Sequence, residues 1–418
     1  MRECFVYIVL PGATAFVPAA RFQWVPDQGG LPLGQLVYGR HYLERREAVP
    51  FDPLELPLTP RVYETRALGG VFGALRDAAP DHWGRRVIQR HVNTTELPEI
   101  EYLLQSPDDR AGALGFGLSA TPPAPKREFN QTMDLARLQA LADTILANEE
   151  RTPDDPIAAA QVEELLLIGT SMGGARPKTV VEADRALWIA KFNCVTDLWN
   201  NARVEHAMLK LATACGLRAA TSRVEQVGDR DVLLVKRFDR EAISGSYRRA
   251  RMLSALTLLR AGDSIRDRDR WSYPLLAEEL RRVSARPAED TQELFRRMAF
   301  NALISNIDDH PRNHACIALN DDWQLSPAYD LTPAAPPSLE RRDLALTCGD
   351  QGRRASAQNL LSQCGRFLLA REAAAKILDE MEVQVRARWY EVARRQGVSE
   401  GDCERIAGAF AYPGFRCT

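Results

Sequence analysis

The chain has 418 residues, 45% of them hydrophobic and 26% charged, with a formal net charge of -2 at pH 7. This composition predicts a large buried core and shows no basic excess that would favour nucleic acid as the main partner. Its eight cysteines form no Cys-x-x-Cys pair, and no apolar run approaches the roughly 20 residues of a membrane span, so we expect a cytoplasmic protein without a disulfide framework or a membrane partner.

Residues 1–120 are predicted to form a small α/β subdomain. Gly73–His91 has the pattern of a helix that restarts at Pro80-Asp81, where Asp81 can cap the following turn. The proline-rich stretch Thr121–Lys126 marks the end of this subdomain. Its strands, separated by glycine and proline turns, are predicted at Phe5–Leu10, Phe16–Val25 and Leu36–Tyr38.

Residues 121–240 have the element order of a kinase small lobe, in which a glycine-rich turn, Gly169–Gly174, is followed by strand, strand, helix, strand and strand. Two helices are predicted ahead of this turn, an amphipathic one at Asp134–Glu150 and a second at about Ile157–Leu167. The elements after the turn are predicted at Thr179–Val181, Ala186–Phe192, Ala202–Ala214, Ser222–Val227 and Asp231–Phe238.

Residues 241–418 are predicted to be mainly helical, as a kinase large lobe is. One hairpin interrupts the helices, with strands at Ala315–Leu319 and Trp323–Leu325. The helices are predicted at Met252–Arg260, Tyr273–Ser284, Thr291–Ser305 and Arg371–Arg395.

The acids around this hairpin predict a phosphoryl-transfer site. Asp308 lies five residues before Asn313, and Asp330 follows the hairpin, which is the order of catalytic Asp, metal-binding Asn and metal-binding Asp in protein kinases. Pro311 lies between the first two and favours an irregular loop over a helix. We expect Asp308 to orient the attacking hydroxyl and Asn313 and Asp330 to bind Mg²⁺, which prefers oxygen ligands.

Two other interpretations of Asp308-Asp309-His310 remain open. The segment could be a polar loop that caps a helix, or it could belong to a metal-dependent hydrolase in which His310 and His314, four residues apart, join the two acids. Pro311 and the missing Glu of a His-Glu-x-x-His motif argue against the hydrolase. His310 is instead expected to hydrogen-bond within its own loop.

Basic and glycine-rich segments could complete a nucleotide site. Gly169–Lys178 allows close backbone approach to phosphates but is not a Walker A motif, because Ala175 replaces the required Lys. Lys191, in an apolar strand, needs a partner, for which Glu205 on the next helix and nucleotide phosphates are candidates. The backbone of Lys236, Arg237 and Phe238 is predicted to bind an adenine edge, although Arg237 and Arg240 could equally be surface charges.

Together these residues resemble the HipA family, the kinase component of bacterial type II toxin–antitoxin modules. Phe72–Asp81 and Gly112–Gly115 look like the N-terminal subdomain of that family, and the resemblance covers nearly the whole chain. It runs through Gly-Gly-Ala-Arg-Pro-Lys (173–178), Lys191, Lys-Arg-Phe-Asp-Arg (236–240), Asn-Ile-Asp-Asp-His-Pro-Arg-Asn (306–313) and Ser-Pro-Ala-Tyr-Asp (326–330).

The resemblance implies an α+β, two-lobed protein-kinase-like (HipA-like) fold. Residues 1–120 would be the added N-terminal α/β subdomain, residues 121–240 the N-lobe and residues 241–418 the mainly helical C-lobe. It also implies a serine/threonine kinase toxin that uses Mg-ATP, binds a HipB-like helix-turn-helix antitoxin, and reaches operator DNA through that antitoxin. Its protein substrate would be translation-related, such as an aminoacyl-tRNA synthetase, so that phosphorylation arrests growth.

The resemblance also assigns further residues to the nucleotide site. Ser171 occupies the place of a serine that family members autophosphorylate. The sequence departs from some members of the family at two places: Asp309 stands where some have Gly, and Arg176-Pro177 stands where others have Gln-Glu. These departures leave Asp308 intact. A catalytically silent kinase-fold module that binds an antitoxin and DNA is the alternative function. The implied nucleotide-binding residues are Gly173, Gly174, Ala175, Arg176, Pro177, Lys178, Lys191, Lys236, Arg237, Phe238, Asp309, His310 and Tyr329.

Overall fold

The computed structural model describes residues 2–27, 30–94, 96–124, 129–147, 176–334 and 338–416. The chain forms two compact units, each built from three separate segments. Unit 1 comprises Met1–Cys194, Lys236–Leu253 and Ile317–Asp322, and unit 2 comprises Val195–Val235, Ser254–Cys316 and Trp323–Thr418. The division into three parts at residues 120 and 240 stays a prediction.

Unit 1 begins with a five-stranded antiparallel sheet in the order β4-β3-β2-β1-β5. The three predicted strands are present, whereas the sequence analysis missed the two edge strands. β5 was missed because Gly115 and Gly117 weaken the strand pattern; a Cβ on either would meet the ring of Phe16 or Tyr7, so these glycines permit close packing. The strands are β1 (Arg2–Val9), β2 (Phe16–Val25), β3 (Leu33–Tyr38), β4 (Tyr63–Thr65) and β5 (Leu114–Gly117).

Short helices lie between β3 and β5 along the chain. The predicted interruption at Pro80-Asp81 is confirmed, because two helices replace one continuous helix. The side chain of Asp81 accepts the Gly84 N–H at 2.7 Å and so caps the second of them. The helices are α1 (Arg40–Leu43), α2 (Gly73–Asp77), α3 (His82–His91) and α4 (Glu99–Gln105).

The rest of the first segment of unit 1 carries a hairpin, β7–β8. Asp184 and Arg185 turn this hairpin with φ angles of 52° and 57°, which matches the turn type that fits the twist of paired strands. β6 pairs with β7 in parallel. The predicted helix Ile157–Leu167 and the glycine-rich turn Gly169–Gly174 lie outside the described residues. The elements are β6 (Asn130–Gln131), α5 (Leu135–Ala147), β7 (Lys178–Ala183) and β8 (Ala186–Phe192).

The chain then contributes a helix and a hairpin to unit 2 before it returns to unit 1. In unit 2, β9 and β10 form the predicted antiparallel pair. In unit 1, β11 and β12 form a second hairpin that the sequence analysis missed. These elements are α6 (Asn201–Ala214), β9 (Ser222–Val227), β10 (Arg230–Lys236), β11 (Arg240–Ile243) and β12 (Ser246–Arg249).

The helix predicted over Met252–Arg260 is largely wrong. Arg251–Ser254 is a strand, β13, and only Ala255–Leu258 is helical, as α7. The Ser254 side chain accepts the Thr257 N–H at 3.3 Å and fixes the start of α7. A short apolar run does not distinguish a strand from a buried helix by its periodicity, which explains the error.

The remainder of unit 2 is mainly helical, as predicted. Its most buried helix is α9, which packs against α8 and α11. α9 begins four residues before the predicted Thr291, because Pro287 starts it with a backbone dihedral already suited to a helix. None of the helices in the described ranges combines the length and hydropathy that a bilayer crossing requires. The elements are α8 (Tyr273–Val283), α9 (Pro287–Leu303), β14 (Ala315–Ala318), β15 (Gln324–Leu325), α10 (Ala357–Ser362), α11 (Arg371–Arg395) and α12 (Glu400–Ile406).

Candidate functional site

The predicted catalytic loop follows α9 in unit 2. Asp308 lies in a turn at the surface, and Asn313 ends a single 3-10 turn, Pro311–Asn313, where an irregular loop had been expected. The Asn313 amide nitrogen donates to the Asp308 carbonyl at 3.3 Å. Because the nitrogen makes this bond, the amide oxygen of Asn313 is the atom that could serve a metal ion.

Asp330 is the second candidate metal ligand, and its backbone is left-handed, with φ 58°. Asp and Asn adopt this conformation more readily than other non-glycine residues. The Asn306 side-chain amide donates to the Asp330 carbonyl at 3.4 Å. Just before it, the Ala328 N–H donates to the Arg218 carbonyl at 2.7 Å, which fixes the course of the segment.

Asp308 and Asp330 influence each other electrostatically. Partial burial raises the pKa of the Asp308 carboxyl, and the negative charge of Asp330 raises it further. The carboxylate of Asp330 and the amide oxygen of Asn313 are oxygen donors, which suit a hard divalent cation such as Mg²⁺. The residues present therefore fit a magnesium ion.

A buried hydrogen-bond network supports the loop from beneath. Asp309 is almost fully buried; its carboxylate accepts the Tyr273 hydroxyl and lies 2.8 Å from Nε2 of His314. Asn301 donates to the Tyr273 hydroxyl at 3.0 Å, and its side-chain oxygen accepts from Asn306 at 3.1 Å. Burial raises the pKa of Asp309, although His314 works in the opposite direction.

This network connects α8, α9 and the predicted catalytic loop within unit 2. The sequence analysis assigned no supporting role to Tyr273, Asn301 or Asn306, because hydrogen bonds between separate segments of the chain leave no local sequence pattern. Asp309, predicted to contact nucleotide, has its carboxylate inside this network, where it orients the turn that carries Asp308.

His310 and Tyr329 also hold the loop. Nδ1 of His310 accepts the Arg312 N–H at 3.1 Å, as expected for a residue that bonds within its own loop. The Tyr329 hydroxyl donates to the Arg312 carbonyl at 2.6 Å, and the Arg312 guanidinium forms two bonds to Asp263 at 2.6 and 2.7 Å. A direct contact of His310 or Tyr329 with nucleotide stays a prediction.

The metal-hydrolase interpretation gains no support from this geometry. His310 bonds to its own loop, whereas His314 is buried beside Asp309, so the two rings serve different partners. Within the ranges that the structure describes, no group of three or more His, Cys, Asp or Glu side chains could hold a metal ion.

The predicted phosphate-binding lysines lie in unit 1. Lys178 on β7 and Lys191 on β8 are direct cross-strand partners, so their side chains emerge on the same face of the hairpin. The Lys178 ammonium is buried and lies 3.0 Å from the Asp81 carboxylate at the start of α3. Like charges directly opposite each other are unfavourable in a sheet. The carboxylate of Asp81 offsets the positive charge of Lys178.

Arg237 and Arg240 are not surface charges, so that alternative is wrong. Both are buried and share the carboxylate of Asp239, at 2.8 and 2.6 Å. Burial works to raise the pKa of Asp239, but the two guanidinium groups outweigh it and hold the pKa well below its ordinary value. The Arg237 guanidinium also donates to the carbonyls of Asp109 and Arg110, at 2.6 and 3.0 Å.

The backbone N–H of Arg237 donates to the Leu187 carbonyl at 2.8 Å. An adenine contact would therefore fall to the backbone of Lys236 or Phe238 or to the Arg237 carbonyl. Glu205 is buried on α6 in unit 2, and its pairing with Lys191 stays a prediction.

The glycine-rich segment is only partly described. Its last two residues before β7 are Arg176 and Pro177, and the Pro177 carbonyl accepts the Phe192 N–H at 3.1 Å. The remaining predicted residues, Ser171, Gly173, Gly174 and Ala175, lie outside the described residues.

Comparisons with known proteins agree with the resemblance. A family model named HipA-like C-terminal domain matches residues 170–389, more than half of the chain. A protein of Sinorhizobium fredii (strain NBRC 101917 / NGR234) named "Putative kinase Y4mE" is 26% identical over 331 residues, which cover 74% of this chain and 70% of that protein. A solved structure of the Shewanella oneidensis MR-1 toxin–antitoxin system, HipA with HipB and its operator DNA, contains a similar chain. It gives a TM-score of 0.59 at 16% identity and covers 97% of this chain and 94% of that chain. This likeness confirms the predicted fold class.

Proposed function

This chain belongs to the HipA family, and from that premise we propose that it is an ATP-dependent serine/threonine protein kinase that acts as the toxin of a bacterial toxin–antitoxin module. The observation that carries the proposal is the arrangement of Asp308, Asn313 and Asp330 in unit 2. A loop after a buried helix presents the first two, and a left-handed backbone turn presents the third.

Asp308 is proposed to accept or orient the proton of the substrate hydroxyl. Its pKa is raised by burial and by Asp330, which makes it a stronger proton acceptor than an ordinary aspartate. The hydrogen bonds of Asp309 to Tyr273 and His314 are proposed to fix the turn that carries Asp308. Positioning is the main requirement, because phosphoryl transfer has a loose transition state that needs little covalent help from the protein.

Asn313 and Asp330 are proposed to hold Mg²⁺ through one amide oxygen and one carboxylate. Bound Mg-ATP supplies the phosphoryl group and a cation that neutralises developing charge. In unit 1, Lys191 and Arg176 are proposed to hold the phosphates, and the backbone around Lys236 to bind the adenine edge. The glycines 173 and 174 would cover the phosphates with backbone N–H groups.

The partners follow from the family. We propose that the chain binds a HipB-like helix-turn-helix antitoxin and through it an operator DNA, as the Shewanella oneidensis complex contains HipA, HipB and operator DNA. The proposed substrate is a translation-related protein such as an aminoacyl-tRNA synthetase, and the proposed location is the cytoplasm. Autophosphorylation at Ser171 would be a second reaction of the same site.

Intact mass before and after incubation with Mg-ATP tests the proposal. Wild-type protein should gain phosphate, mapped by peptide analysis to Ser171, and should phosphorylate candidate substrates. Asp308→Ala should lower turnover by roughly a thousandfold, as expected for removal of a general base, while ATP affinity changes little. Asp269→Ala is the matched control, since Asp269 is an exposed acid of the same unit.

The possible outcomes separate the candidate functions. Equal phosphorylation by wild type and Asp308→Ala would refute the assigned role of Asp308. ATP binding without any transfer, to the chain itself or to substrates, would favour the silent module. Stability measured with and without Mg-ATP reports this binding, because a ligand that binds only the folded state raises the melting temperature.

A further inference from the structure

We infer that Asp81, in the N-terminal part of unit 1, is a positioning residue for the nucleotide site, because it holds Lys178 in a buried ion pair at the start of β7. This inference rests on the proposed kinase function. It assigns Lys178 to anchoring this strand and leaves phosphate binding to Lys191. It also gives the N-terminal subdomain a part in nucleotide binding.

The first support is the burial of the pair. The side chains of Lys178 and Asp81 are only 3% and 4% exposed, and their charged atoms lie 3.0 Å apart. A buried ammonium needs a countercharge nearby. An ammonium held against the start of α3 cannot at the same time extend to a phosphate in solvent, so this conformation assigns Lys178 to anchoring.

The second support is the position of Lys178 in the hairpin. It lies directly opposite Lys191, so the two ammonium groups leave the same face of β7 and β8. Asp81 offsets the charge of Lys178 and so reduces the repulsion between the two lysines. Lys178 also directly follows Gly-Gly-Ala-Arg-Pro, so a displacement of its backbone moves the end of the predicted phosphate-binding segment.

The third support is a parallel arrangement at the second nucleotide-site motif, Lys236–Arg240. Arg237 donates to the carbonyls of Asp109 and Arg110, and Asp239 accepts the Gly112 N–H at 3.0 Å. Both motifs are therefore fixed by buried charges to the N-terminal 120 residues. These residues act as a scaffold for the nucleotide site, in addition to any role in binding a partner.

A double-mutant cycle tests the inference. Asp81→Asn removes the charge but keeps an oxygen that can cap α3, because Asn and Asp are comparable helix caps. Lys178→Met removes the ammonium and keeps the apolar stem. The double variant Asp81→Asn/Lys178→Met removes both charges of this pair. Glu99→Gln is the control, since it removes the partly buried ion pair between Glu99 on α4 and Arg85 on α3 and leaves Asp81 and Lys178 unchanged.

The measured quantities are the Kd for Mg-ATP by calorimetry, the melting temperature, and kcat against KM for ATP. We expect Asp81→Asn to raise the Kd and KM for ATP at least tenfold and to lower the melting temperature. The double variant should recover most of both losses, and Lys178→Met alone should bind ATP within about threefold of wild type. A threefold change in Kd corresponds to less than 1 kcal/mol, because a tenfold change corresponds to about 1.4 kcal/mol.

Four results would overturn the inference. If Lys178→Met loses ATP binding and the double variant does not recover it, Lys178 is a phosphate ligand. Asp81→Asn that melts at a lower temperature with an unchanged Kd would leave the pair a purely structural contact. If wild type does not bind Mg-ATP, the kinase proposal and this inference are refuted together. If wild type binds Mg-ATP normally and the Kd of Asp81→Asn is unaltered, the inference alone is refuted.

Discussion

Asp239→Asn should destabilise unit 1 strongly, because one carboxylate serves two buried guanidinium groups. The side chains of Arg237 and Arg240 are 0% and 2% exposed, and Asp239 itself is 1% exposed. Asparagine preserves the shape and one acceptor oxygen but leaves both positive charges without their shared counterion. Breaking a buried ion pair in this way costs about 3–5 kcal/mol.

Urea unfolding at pH 7, followed by tryptophan fluorescence, measures this loss. With an m-value of about 2–3 kcal/mol/M, the midpoint should fall by roughly 1–2.5 M. The control is Glu241→Gln, two residues along the same segment, whose pair with Arg248 is half exposed at 3.3 Å. Exposed pairs contribute less than about 1 kcal/mol.

The pH dependence provides a second check. The pKa of Asp239 is held well below its ordinary value, so its contribution to stability is present above the unfolded-state pKa of about 3.9 and is lost as the pH falls below it. The difference between wild type and Asp239→Asn should therefore narrow below about pH 4. If Asp239→Asn lowers the midpoint no more than Glu241→Gln does, the shared-counterion explanation is wrong.

Three other substitutions test the remaining features of unit 2. Tyr273→Phe removes a buried hydroxyl from the network beneath the catalytic loop and should cost about 1–3 kcal/mol in urea unfolding; it should also lower kcat more than it raises the KM for ATP, and unchanged stability would contradict the network. Burial, with a smaller effect from Lys210, lowers the pKa of His206 to about 4, so the folded protein resists its protonation and loses stability as the pH falls from about 6.5 towards 4. His206→Gln should flatten that part of a melting-temperature profile, and an unchanged slope would show that other groups cause it. Asp330→Asn removes a charge that raises the pKa of Asp308, so carbon NMR of the nucleotide-free variant should show Asp308 titrating at lower pH; an equal or higher pKa would refute the coupling.

The sequence allows the residues of the proposed site to be predicted more readily than the contacts that support them. The residues of the proposed site lie close together in the chain: Asp308, Asn313 and, after a hairpin, Asp330. Their order matches that of the catalytic Asp, metal-binding Asn and metal-binding Asp of protein kinases. Strands β1 and β2 were equally visible, because their apolar residues recur with a simple period and glycine or proline ends them.

The supporting contacts could not be predicted because they join residues far apart in sequence. Asp109 and Arg237 are separated by 128 positions, and Tyr273 and Asp309 by 36 positions. Nothing in the local pattern around Arg237 distinguishes a buried arginine from a surface one, which is why its burial was not foreseen. The short β13 was missed for a different reason, since its apolar run suits either a strand or a helix.

The interleaved course of the chain has a consequence for its synthesis. The chain passes between the two units after residues 194, 235, 253, 316 and 322. Asp108 and Asp109 leave the ribosome long before their partners, since Arg249 follows Asp108 by 141 positions. At about 5–20 residues per second, on the order of ten seconds elapse before these acids can be neutralised. A nascent chain that stops short of residue 322 cannot complete unit 1, and we expect proteases to remove such a truncated chain.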